Sequence, residues 1–208
     1  MAERIAVALV DDNPLIADGF RSVVADSAGI DVVGTVASAE ELATINPRPD
    51  VVAFDLLLED GSAPFDNVAM IHSHGARALA FSSAQDRSLV QQAARAGAYG
   101  LVRKSSPAAT IAAAIRAVAA GTEVFGADWA AAIDTDPHVV DIGLTERQLA
   151  VLAALASGET LEALAERSAA TRAELDEDVS AIRLAYVDED GLAAHAELRS
   201  NGEEGIRS

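Results

Sequence analysis

Cysteine is absent from the 208 residues. That excludes disulfides, thiolate metal sites and thiol nucleophiles. No apolar run approaches the ~18 residues of a membrane-spanning helix, so no span is expected. The N-terminus, MAERIAVALVDD, lacks a basic head followed by an apolar stretch and cleavage site, and reads as a first strand rather than a signal peptide. These absences together point to a cytoplasmic location. Lysine is nearly missing as well: Lys104 stands alone against 14 arginines.

Half of the residues are apolar and 23% are charged, a globular composition with room for one ordinary domain and a small one. Net charge is −18. Residues 1–120 contribute −5, residues 121–143 another −5 without a single base, and residues 144–208 contribute −8. A polyanionic partner is repelled unless positive charge is locally concentrated.

Apolar runs and helical periodicities alternate over the first 120 residues. Residues 4–10 (RIAVALV) read as a buried strand, and Asn13 and Pro14 open the helix that follows. Further strands are expected at 29–36, 51–55, 76–81 and 99–102, with helices at 38–45, 66–74, 86–96 and 107–120. The second helix opens on a capping-box pattern, Ser38 with Glu41. This alternation predicts a doubly wound parallel sheet with helices on both faces. Residues 122–143, acidic and containing Gly126, Pro137 and Gly143, read as a linker with a short helix near 127–133. Beyond Leu144 the pattern is purely helical: 145–156, 160–167, 171–186 and 191–199. Residues 201–208 read as a disordered tail.

In a doubly wound sheet, ligands bind beyond the carboxyl ends of the strands. Asp11 and Asp12 stand at the first of these ends, Asp55 at the third, Ser82 at the fourth and Lys104 at the fifth. Two carboxylates about 4 Å apart repel by roughly 4 kcal/mol at an effective dielectric near 20. A hard dication relieves this, and Mg²⁺ accepts a few carboxylates while keeping several waters. Asp55 is then the candidate nucleophile, forming an acyl phosphate. Asp11 and Asp12 are the candidate metal holders, with Asp55 at the same ion. Ser82 offers a hydroxyl to the phosphoryl group, and Lys104 pairs with carboxylate or phosphate. His72 and His74, two positions apart, do not share a helical face and suggest no metal site.

With VALVDDNPLIADGF, VVAFDLLLEDGS, ALAFSSAQD and AGAYGLVRKSSP in view, residues 1–121 resemble a response regulator receiver domain. The resemblance implies a flavodoxin-like five-stranded fold and phosphorylation of Asp55 by a sensor histidine kinase. It also implies Mg²⁺, with the backbone carbonyl of Leu57 among its ligands. The chain's own chemistry would be phosphoryl transfer onto Asp55 and slow hydrolysis; it is not read as a metabolic enzyme. One departure stands out: the position three before the lysine, commonly aromatic in such domains, is Leu101. Weaker or altered relay of phosphorylation to the far face is expected.

Residues 144–200, opening with LTERQLAVLAALASGETLEALAERSAATRAEL, resemble the LuxR-type helix-turn-helix of NarL/FixJ regulators, a four-helix unit. The resemblance implies transcriptional control through DNA, with Arg172 and Arg183 as the basic residues of the reading helix. That helix also carries Glu174, Asp176, Glu177 and Asp178. Carboxylates oppose the phosphate contacts that supply much of DNA affinity. Two readings therefore stand. One is a phosphorylation-dependent DNA-binding regulator, working as a homodimer. The other is a regulator without autonomous DNA binding, acting through protein contacts or as a heterodimer with a related chain.

Overall fold

The computed structural model describes residues 4–83 and 86–187. The helix expected at 191–199 and the tail at 201–208 lie outside them. The order is β1 (Ile5–Val10), α1 (Pro14–Ala25), β2 (Ile30–Val36), a 3-10 helix (Ala39–Thr44), β3 (Val51–Phe54), α2 (Pro64–Ser73), β4 (Arg77–Ser82), α3 (Arg87–Arg95), β5 (Leu101–Arg103) and α4 (Ala108–Ala119). Then come α5 (Ala127–Asp134), a second 3-10 helix (Pro137–Val140), α6 (Glu146–Ala156), α7 (Leu161–Arg167) and α8 (Arg172–Tyr186). The five strands are parallel in the order β2-β1-β3-β4-β5.

Strands β1 and β3 are buried on both faces, which their unbroken apolar runs dictate. One face packs Phe20 and Val24 of α1 and Ile111, Ile115 and Val118 of α4. The other packs Val68 and Ile71 of α2 and Val90 and Ala94 of α3. Asn13 caps α1 as expected, accepting from the Leu15 amide at 3.0 Å. The capping box expected at Ser38 is not formed. That segment is a six-residue 3-10 helix, Ser38 makes no capping bond, and Glu41 instead accepts from the Ala37 amide at 3.3 Å. Stopped by Asn46 and Pro47, it is too short to recover the cost of nucleating an α-helix.

Residues 122–143, expected as a linker, are largely folded. Val124 bridges to Gly100, and its amide donates to the Tyr99 carbonyl at 2.8 Å, so the chain lays itself along the outer edge of β5. Gly100 is required there. Its φ is +142°, and a Cβ would stand 2.1 Å from the Val124 carbonyl oxygen. Helix α5 then buries Trp129, Ala130 and Ile133 between the sheet domain and the helices that follow. Three of the acids in this stretch hold arginines from distant elements: Glu123 binds Arg183 at 2.6 Å, Asp128 binds Arg103 at 2.5 Å and Asp136 binds Arg95 at 2.5 Å. The missing local bases that made the segment look solvated are supplied by α3, β5 and α8.

Helices α6 to α8 begin as the sequence indicates. Thr145 with Gln148 and Thr171 with Glu174 form complete capping boxes, and Thr160 caps α7. Leu152, Leu155, Leu164, Leu175, Val179 and Ile182 form their core, continuous with that under α5.

Candidate phosphoacceptor site

Strand register brings the polar tips together. Val10 of β1 lies opposite Phe54 of β3, so the next residues, Asp11 and Asp55, emerge side by side. The Asp55 amide donates to the Val10 carbonyl at 2.9 Å, extending the ladder by one bond. Ser82 ends β4, and the Lys104 amide donates to its carbonyl at 3.2 Å.

Asp55 is 9% exposed. The Ser82 hydroxyl donates to one of its carboxylate oxygens and the Lys104 ammonium to the other, each at 2.6 Å. Lys104 also pairs with Asp11 at 2.5 Å, so one ammonium bridges two buried carboxylates. Burial alone would lower the lysine, but bonds to Asp11 and Asp55 outweigh it and hold the ammonium above its ordinary value. Asp11 accepts a further bond from the Asn13 amide at 3.0 Å, and Asp55 a long one from the Leu57 amide at 3.4 Å. The Leu57 side chain is exposed, while its amide is turned to Asp55.

Asp12 stands slightly apart. Its carboxylate accepts from the Glu59 amide at 2.5 Å, tying the loop after β3 to the tip of β1. Beside it opens a cleft of about 530 Å³ walled by Glu40, Glu41, Glu59 and Asp60. Among the described residues no three carboxylate or histidine side chains form a ready-made metal cage. The donor set nevertheless fits Mg²⁺: hard oxygen ligands, one or two carboxylates and space for water suit that ion, whereas an all-protein cage does not. The residues that would hold it are Asp11, Asp12 and Asp55, with the Leu57 carbonyl that the family resemblance adds.

The two arginines read as DNA contacts behave differently from each other. Arg172 lies on the surface, clasped by Glu162 and by Asp176 at 3.0 Å. Arg183 is 2% exposed. It pairs with Glu123 and stacks 5.4 Å from the centre of the Tyr99 ring, so it faces the sheet domain rather than solvent. The reason is helical phase: Val179, Ile182, Arg183 and Tyr186 share the inward face of α8. The sequence reading missed Arg95, Glu123, Asp136 and Tyr186, which join the two parts of the chain. No local pattern marks them, since each partner lies 41 or more positions away.

The description "response regulator receiver domain" fits residues 7–116, just over half of the chain. The transcriptional regulatory proteins YxjL and LiaR of Bacillus subtilis are each 27% identical to it, over 179 and 175 residues. These spans cover 79% and 78% of this chain and 81% of each relative. The receiver domain of the response regulator NarL from Mycobacterium tuberculosis superposes with a TM-score of 0.51 at 28% identity, covering 57% of this chain and 98% of its own. The RcsB–DNA complex structure shares the fold over 95% of this chain and 98% of its own, at 16% identity and a TM-score of 0.55.

Proposed function

The chain belongs to the response regulator receiver-domain family, and we propose that Asp55 is its phosphoacceptor, loaded by a sensor histidine kinase, in a two-component regulator of transcription. The observation that carries the assignment is the grip on Asp55: a nearly buried carboxylate with a hydroxyl on one oxygen and an ammonium on the other. A carboxylate oxygen of Asp55 attacks phosphorus, the phosphorus–nitrogen bond of a phosphohistidine breaks, and the departing imidazole takes a proton. An acyl phosphate results. Ser82 then donates to a phosphoryl oxygen, and Lys104 transfers its charge from carboxylate to phosphoryl group. Mg²⁺, when bound, offsets the negative charge gathering among Asp11, Asp12, Asp55 and the incoming phosphoryl oxygens. Incubation with a small phosphodonor tests the reading by intact mass. One phosphoryl group is expected with Mg²⁺ and almost none after chelation; an unchanged mass with Mg²⁺ present defeats it.

The relatives named as transcriptional regulators support control of transcription through residues 144–187 and their continuation. A specific observation favours a second reading, in which this control does not run through autonomous DNA binding. All four arginines of the described helical part are already bound to carboxylates: Arg147 to Asp178, Arg167 to Glu159, Arg172 to Glu162 and Asp176, and Arg183 to Glu123. Glu174, Asp176 and Glu177 meanwhile face solvent on α8. In this reading the chain pairs with a more basic relative or works by protein contact. A gel shift with random-sequence DNA at low salt separates the two. Binding that weakens steeply with salt supports direct contact, since phosphate contacts release counterions. Absence of binding at tens of millimolar salt supports the second.

A further inference from the structure

The helical part contains a cavity of about 370 Å³, lined by α6, α7, the turn between α7 and α8, and the start of α8. That size falls within the range of small-molecule pockets. Val151, Leu164 and Leu175 form its buried floor. The sequence accounts for the space. A bulky apolar residue just before a helix cap commonly packs on the fourth residue of the helix. At α6 that place is held by Leu144, before the Thr145 cap. At α8 the cap is Thr171, the residue before it is Ala170 and the fourth residue is Leu175. A methyl group stands where a longer side chain would cover Leu175, and both residues line the cavity.

Two arginines stand at its edge, Arg147 and Arg167, with side chains 50% and 59% exposed. Arg147 donates to Asp178 through Nε at 2.6 Å, and among the described residues its two terminal nitrogens have no partner. Arg167 spends Nε and one terminal nitrogen on Glu159. Glu174, also on the wall, accepts from the Thr171 amide at 2.7 Å and from its hydroxyl at 2.9 Å. Arg147 and Arg167 are thus set against Asp178, Glu159 and Glu174, and an anion finds no surplus of positive charge. A cation would have to sit beside guanidiniums that only donate. What the edge offers is a set of hydrogen-bond donors for a neutral acceptor.

We propose that this cavity binds a small neutral molecule, apolar over most of its surface and carrying one carbonyl oxygen. The apolar body lies on Leu164, Ala170 and Leu175, where the longer side chain is missing, and the carbonyl accepts from Arg147. The body supplies most of the affinity, because apolar surface leaves water. The carbonyl fixes the orientation. A ligand held there touches α6, α7 and α8 at once, so it stabilises the start of α8 by mass action. The site lies wholly within residues 147–175 and stands whether or not Asp55 is the phosphoacceptor.

The test follows the methyl NMR signals of Val151, Leu164 and Leu175 in the full chain during titration with acetophenone. Saturable shifts with a millimolar Kd are expected for so small a probe. Benzoate, with the same ring and a negative charge, should bind more weakly. Ala170→Leu supplies the longer side chain, so the urea midpoint should hold or rise while acetophenone affinity falls by about tenfold or more. Ala150→Leu fills the cavity from the α6 wall and takes its place if that variant folds poorly. Arg147→Met should weaken acetophenone by about fivefold and leave ethylbenzene, which has no carbonyl, unchanged. Absence of a saturable shift in the wild type overturns the inference, as does undiminished binding to the filled variants. Benzoate binding more tightly than acetophenone, or equal loss of both neutral probes in Arg147→Met, overturns the neutral carbonyl compound as occupant.

Discussion

Asp55→Asn should remain unlabelled by phosphodonors under conditions that label the wild type fully. An amide oxygen keeps the shape and accepts the Ser82 hydrogen bond, but it lacks the negative charge and electron density that attack phosphorus. The fold should survive the change. Lys104 keeps its pair with Asp11 at 2.5 Å, so the ammonium is not stranded, and the Asp55 amide bond to Val10 belongs to the backbone. The amide nitrogen then faces the Lys104 ammonium, so that bond is lost at a cost of about 1.5–3 kcal/mol, offset in part by removing one of two neighbouring carboxylate charges. Intact mass and a urea titration of the same two samples check both halves of this statement. Persistent labelling of the asparagine variant would move the acceptor to Asp11 or Asp12, the other carboxylates at the strand tips.

The second large effect is expected far from that site, at Arg183→Met. The substitution strands Glu123, whose side chain is 11% exposed and also accepts from the Ser180 hydroxyl at 3.1 Å. Removing one partner of a buried ion pair typically costs about 3–5 kcal/mol, because the remaining charge has neither water nor cation. Replacing both partners, Arg183→Met with Glu123→Gln, should recover much of that loss. Arg172→Ala is the control: its pairs with Glu162 and Asp176 are exposed and should shift stability by at most about 1 kcal/mol. Urea unfolding of the four chains decides it. Equal, small effects at both arginines would mean that α8 does not pack against the sheet domain in solution. Any DNA-binding defect in the Arg183 variant has to be judged against this loss of stability.

The candidate site at the strand tips was legible because its signal is local. A buried strand ends where its apolar run ends, and the first polar residue after it must lie at the sheet's carboxyl edge. Five such residues could be named without knowing the strand order, since every right-handed crossover returns to the same edge. The part of the site that stayed hidden depends on backbone and on angle: the Glu59 amide on Asp12 and the lysine shared between Asp11 and Asp55. The segment at 122–143 misled for a related reason. Five acids with no base among them look like a solvated tether, and nothing in a sequence says that Arg95, Arg103 and Arg183 will be neighbours in space. Val124 was equally invisible, since its pairing with Gly100 uses main-chain groups that every residue carries.

The strip of chain along β5 also bears on where the sheet domain can be cut. A fragment ending at Gly121 would strip β5 of its cover, expose the Tyr99 carbonyl that the Val124 amide satisfies, and release the Arg103 guanidinium from Asp128. A bare parallel edge invites pairing with another molecule. Self-association of such a fragment would therefore reflect the scissors rather than the biology, and the shortest faithful piece must carry the strip and α5 with it.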